Sequence, residues 1–136
     1  MPTPREQVMA AQDLQPLEIP GGLPEWGLER VFVRPLSGLR LAAYQERSRA
    51  LREAAKKEDR PVLSWLLPLF TEMTLCDAAG ELVFQPGDVD WLGEKSAAVL
   101  QVVWDTGAVA SGVGVRERLE KNSPAASTDS SPSVSA

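Results

Sequence analysis

"VLSWLLPLFTEMTLC", residues 62–76, is apolar almost all the way round a helical wheel. A helix on a protein surface keeps its apolar residues to one stripe, so a segment greasy on all sides belongs inside. The stretch is predicted to be a buried helix, with Pro68 forcing a kink or a restart because proline has no N–H to donate. It is too short to cross a bilayer, which takes roughly 18 apolar residues or more. It opens the zone from Val62 to Val109, which is expected to hold most of the core.

Upstream, "GLRLAAYQERSRALREAAKK" reads as an amphipathic helix from Leu39 to about Lys57. Leu41, Tyr44, Ser48, Leu51 and Ala55 recur at spacings of three and four, which puts them on one stripe. Charged residues fill the opposite face, with Glu46 near Arg49 and Arg49 near Glu53 at supporting spacings. Ser37 stands at the N-cap position, and "KKEDRP" ends the helix. Before it, Leu14 to Leu36 carries strand and turn signals: "LQPLEI", the breaker-rich "PGGLPEWG", then "ERVFVRP", with Val31 and Val33 on one side and Phe32 on the other. This predicts a β-hairpin over residues 14–36, closed by Pro35. Residues 1–13 are polar, and "PREQVMAAQ" predicts a short helix with Pro4 in its first turn.

Downstream, "DAAG" at residues 77–80 is a turn, and Leu82 to Phe84 forms a short strand or an extended link. "PGDVDWLGEKS" opens a short helix at Pro86 or Asp88 and closes it at Gly93. Ser96 then caps "AAVLQVVWDTGAVA", whose apolar face comprises Val99, Leu100, Val103, Trp104 and Ala108. "SGVGVRERLEKN", residues 111–122, predicts one more short helix. The closing "SPAASTDSSPSVSA", residues 123–136, has six serines, two prolines and no large apolar residue but Val134, so it is expected to be disordered. The chain of 136 residues, 43% of them hydrophobic, is thus expected to form one domain over 14–122, with a polar segment before it and a tail after it. The fold class is α+β, mainly α: a small N-terminal hairpin packed on four or five helices.

Composition removes several function classes. Nineteen acidic against fourteen basic side chains give a net charge of -5, which repels nucleic acid. A single cysteine, Cys76, excludes an intramolecular disulfide framework and fits a reducing compartment. "MPTPREQVMA" has no apolar run of the kind a signal peptide carries, so a soluble protein that stays in the cytoplasm is expected, with no membrane partner.

The chain contains no histidine, which removes Ser–His and Cys–His nucleophile pairs and the commonest transition-metal ligand. Cys76 reads as a packed thiol. "DAAGEL" resembles part of a calcium loop, but the third and twelfth positions counted from Asp77 are Ala79 and Asp88, where oxygen ligands and a glutamate are required. "GVGV" lacks the preceding strand and third glycine of a phosphate cradle. The pairs Asp88 with Asp90 and Asp77 with Glu81 read as caps and turn formers. No catalytic, cofactor-binding or metal-binding residue is assigned, and no enzyme is expected. Of the four tryptophans, Trp65 and Trp104 read as core, while Trp26 and Trp91, each beside turn-forming glycine, are candidate partner-binding residues together with Tyr44.

"LPEWGLERVFVRPLSGLRLAAYQE", a hydrophobic helix ending in "LCDAAGELVF", then "DVDWLGEKSAAVLQVVWDTGAVASGV" and a final "LEKNS" together resemble the tail assembly chaperone family of long-tailed phages and prophages. The likeness runs in order over roughly residues 5 to 123, and its most specific pieces are "PEWG", "D-x-x-G-x-x-x-F" and "LGEKS". The resemblance implies a host-cytoplasmic assembly factor that coats the tape measure protein, keeps it soluble, promotes tail tube assembly around it and is absent from the finished virion. It also implies the tail tube protein as a second partner and self-association or many-copy binding. Members of the family are often made in two lengths by ribosomal frameshifting, and Lys121-Asn122 is codable by a run of adenines suited to such a shift. The alternative is a structural minor tail or head-tail joining protein that persists in the particle.

Overall fold

The computed structural model describes residues 1–113. The elements follow in the order α1 (Pro4–Ala10), β1 (Leu17–Glu18), a 3-10 turn (Pro24–Trp26), β2 (Phe32–Val33), α2 (Gly38–Lys57), α3 (Leu63–Thr74), β3 (Leu75–Cys76), α4 (Val89–Leu92) and α5 (Ala97–Gly107). The fold is α+β and mainly α, as expected. Of the helix expected over 111–122, residues 111–113 form a turn. The rest of it and the tail of 123–136 lie outside the described residues.

α3 is buried along nearly its whole length: Trp65 and Leu67 through Thr74 are all inside. It packs against α2, α4 and α5. The expected restart at Pro68 does not occur. α3 runs through Pro68 as one helix although the proline, its sixth residue, leaves the Ser64 carbonyl without its usual i+4 donor. Gly93 backs against it closely, since a Cβ there would stand 3.2 Å from the Ser64 oxygen.

The hairpin is present but incomplete as a description of the sheet. β2 pairs antiparallel with β1, Leu17 opposite Val33 and Glu18 opposite Phe32. On its other side β2 pairs antiparallel with β3, Phe32 opposite Cys76 and Val33 opposite Leu75. Leu75 and Cys76 were expected at the end of the buried helix and are strand instead. The inner edge of β2 would otherwise bury unpaired backbone groups, and Leu75 turns to extended backbone to meet them. The N–H of Arg34 continues the ladder to the Thr74 carbonyl at 2.8 Å. Val31, Phe32 and Val33 are all buried, so both faces of this strand are covered. The link after β3 doubles back, with Leu82 bridged to Cys76 and the Val83 N–H donating to the Leu75 carbonyl at 2.9 Å.

α2 matches its predicted span and stripe: Tyr44 and Ala55 are buried, and Leu41, Ser48 and Leu51 are half-buried against the core. Ser37 Oγ accepts from the Arg40 N–H, the expected cap. Arg40 in turn donates to the Met73 carbonyl at 2.8 Å, a cation on the C-terminal end of α3. Arg49 pairs with Glu46, whereas Glu53 pairs with Lys56. α5 is capped by Ser96, whose Oγ accepts from the Val99 N–H, and buries Val99, Leu100 and Val103. Trp104 is half-buried with its ring 5.1 Å from that of Phe70. α1 closes a reciprocal cap between Thr3 and Glu6 and buries nothing.

Candidate functional site

Residues 20–29 form a loop whose shape is fixed by its own backbone. The Gly22 N–H donates to the Ile19 carbonyl at 2.9 Å, and Leu23 and Leu28 exchange backbone bonds of 2.8 and 3.1 Å. Gly22 has a φ of +67°, and a Cβ at that position would collide with the Leu28 and Glu29 carbonyls, so only glycine fits. Leu23 plugs the loop into the core at 2% exposure. The 3-10 turn over Pro24–Trp26, closed by Gly27 in the left-handed region, then lifts Trp26 out at the side, half-buried.

Two further segments come up beside this loop. The doubled-back link brings Phe84, whose ring meets that of Trp26 edge-to-face at 6.1 Å and 86°. α4 brings Trp91, which meets Phe84 at 5.6 Å and 73°. The three rings, with Glu25, Leu28, Val83, Leu92 and Lys95, line an open groove of about 370 Å³. Trp91 is 44% exposed, yet its position is set: its indole N–H donates to Asp88 Oδ1 at 3.0 Å, while Asp88 Oδ2 accepts from the Gln85 N–H at 2.8 Å. Lys95 Nζ lies 5.8 Å from the Trp91 ring centroid, a cation–π contact. Leu92, fully buried, anchors α4 beneath.

The orientation of α4 depends on a residue the sequence did not single out. Glu72 of α3 is buried, and its Oε1 accepts from the backbone N–H groups of Gly87 and Val89, each at 3.1 Å. The same carboxylate receives both terminal nitrogens of Arg47, Nη1 to Oε2 and Nη2 to Oε1, the latter at 3.0 Å. The hydrogen bonds that Arg47 donates to Glu72 raise its guanidinium above its ordinary value. One signal pointed here: a lone carboxylate inside an otherwise apolar segment needs a cation and donors, and Arg47 borders the buried stripe of α2.

Trp26 and Trp91, the sequence-stated candidates, are therefore brought to one groove, joined by Phe84. Tyr44 is not part of it. Its side chain is 4% exposed and sits edge-on to Phe70 at 6.1 Å, in the interior between α2 and α3, and burial pushes its hydroxyl up to about 12. A residue at that depth cannot meet a partner, so its place on the α2 stripe makes it core. Trp65 is core, as expected, and Trp104 is packed against core.

Of the carboxylates expected as caps and turn formers, Asp77 and Asp88 are engaged in local structure. Asp77 Oδ1 accepts from the Ala79 and Glu81 N–H groups at 2.9 and 3.0 Å, shaping the turn after β3. Cys76 is fully buried, and burial, with Asp77 nearby, pushes its thiol up to about 11. Among the described residues no three of the metal-ligating acids and cysteine gather in one place, and no helix is long and apolar enough to cross a membrane. A second hollow of about 420 Å³, lined by Leu14, Pro16, Arg34, Ala79, Gly80 and Glu81, has no aromatic wall.

Comparison of the chain with protein-family models, with curated proteins and with solved structures returns no match.

Proposed function

We propose that this protein is a tail assembly chaperone of a long-tailed phage, a binding protein rather than an enzyme, and that the Trp26–Phe84–Trp91 groove is where it holds the tape measure protein. The observation that carries this reading is a convergence. The three motifs on which the resemblance rests lie at residues 24–27, 77–84 and 92–96, the first some fifty residues from the other two, and each supplies a wall: "PEWG" gives Trp26, "D-x-x-G-x-x-x-F" gives Phe84, and "LGEKS" gives Leu92 and Lys95.

The chemistry suits the task. A tape measure helix without a globular core exposes apolar surface that aggregates unless covered. A groove walled by aromatic rings held in fixed edge-to-face contact offers large apolar area with little left to order on binding. An amphipathic helix laid in it would place successive apolar side chains along the rings. The chaperone would act in the host cytoplasm and leave when the tail tube closes around its cargo. Affinity capture from infected cells is expected to recover the tape measure protein with this chain, and mass spectrometry of purified particles is expected to lack it. Its presence at stoichiometric level in virions would make it a structural component instead.

A further inference from the structure

The walls of the groove are largely apolar, and the chain segments that form them are rich in acid. The lining itself holds one acid and one base, Glu25 and Lys95, but the segments that form it, residues 24–30 and 81–95, carry Glu25, Glu29, Glu81, Asp88, Asp90 and Glu94 against Arg30 and Lys95. The chain as a whole adds to this field, with a net charge of -5. We propose that the groove selects a basic amphipathic helix: apolar side chains against Trp26, Phe84 and Trp91, with lysines or arginines flanking the stripe and meeting the acidic segments that form the groove. This rests on the reading of the groove as the partner site and names the chemistry of the partner segment.

Three physical points support it. Opposite charge around an apolar floor speeds encounter and rejects partners of the wrong sign, and it does so more than it adds affinity. The faces of Trp26 and Trp91 are negative in their quadrupole, so cations at the rim find a second attraction there. A second copy of this chain is a poor occupant, because it would bring another net charge of -5 to an acidic rim.

The test uses two synthetic helices of about 18 residues with the same leucine stripe, one flanked by lysines and one by glutamates. Binding is read from the indole N–H signals of the full chain by NMR. The lysine helix is expected to shift the Trp26 and Trp91 signals and leave Trp65 unmoved, and the glutamate helix is expected to shift none. Reversing the rim with Glu25→Lys and Glu94→Lys is expected to weaken the lysine helix at least roughly fivefold, and raising ionic strength from about 0.05 to about 0.5 M to do the same. Glu46→Lys with Glu53→Lys, the same change of charge on the exposed face of α2, is expected to leave affinity within about twofold. Equal binding of the two helices, shifts away from the groove, or equal loss from both charge reversals would overturn the proposal. Tape measure protein that binds wild type and the rim-reversed variant alike would remove the charge preference and leave the chaperone reading standing. Groove binding of the lysine helix by a chain that ignores the tape measure protein would do the opposite.

Discussion

Arg47 and Glu72 join α2 to α3 through a two-pronged ion pair, and the same carboxylate carries the N-terminal turn of α4, through Gly87 and Val89. Glu72 is 3% exposed while Arg47 keeps 33%, so the acid side of the pair is the one that cannot turn to water. Glu72→Ala therefore strands two backbone donors and one guanidinium. The expected loss is about 3 kcal/mol, at the low end for breaking a buried pair because Arg47 remains partly solvated. Arg47→Ala leaves the carboxylate its two backbone donors and should cost less, about 1–2 kcal/mol. Urea titration of both variants gives the comparison. Equal losses would mean that Glu72 does not carry α4.

The tryptophans should divide by depth. Trp65→Ala empties a site 2% exposed and is expected to cost about 3–5 kcal/mol. Trp91→Ala removes a ring 44% exposed and is expected to cost no more than about 1 kcal/mol while abolishing partner binding. Chemical denaturation beside a binding assay separates the two. A large stability loss from Trp91→Ala would make that ring structural.

α2 is held by its stripe and by Arg47 rather than by the charges of its exposed face. Leu51 packs half-buried on the core, and Leu51→Asp is expected to cost about 1–3 kcal/mol. Arg49→Ala breaks only an exposed pair with Glu46 and should cost under about 1 kcal/mol. Small, equal losses in a denaturant titration would mean that α2 is not packed as described.

Much of this was legible in the sequence, for reasons tied to particular residues. The cap at Ser37, the α2 stripe through Leu41 and Ala55, and the burial of α3 all follow from local periodicity and hydrogen-bonding chemistry. So does the turn set by Asp77. What escaped was non-local. Leu75 and Cys76 have no strand signal of their own and become strand only because β2 arrives beside them. Glu72 looked like one polar residue in an apolar run until Arg47 and α4 met it. Tyr44 has the chemistry of an interface residue, and only its depth shows it to be core. Trp26 and Trp91 were legible as candidates, but their meeting through Phe84 depends on three chain segments folding together.

Alkaline pH should loosen the fold through Cys76 and Tyr44. Burial raises the thiol from 9.0 to about 11 and the phenol from 10.0 to about 12, so between the unfolded and folded values the unfolded state has lost protons that the folded state keeps. Stability from these groups is complete below about pH 9 and is lost as pH rises toward about 12. Urea midpoints taken from about pH 8 to about pH 11 should fall, and Cys76→Ala should flatten the first part of the decline. A midpoint that holds steady over this range would contradict the burial of both groups.

Co-expression with the proposed partner, a tape measure protein, tests the account most directly, scored as the soluble fraction of that protein. With the wild-type chain the tape measure protein is predicted to move from the pellet to the supernatant, and with the Trp26→Ala, Trp91→Ala double variant, checked to be folded, it is predicted to return to the pellet. Solubility unchanged by the wild-type chain would contradict the chaperone reading, and full solubility with the double variant would contradict the groove.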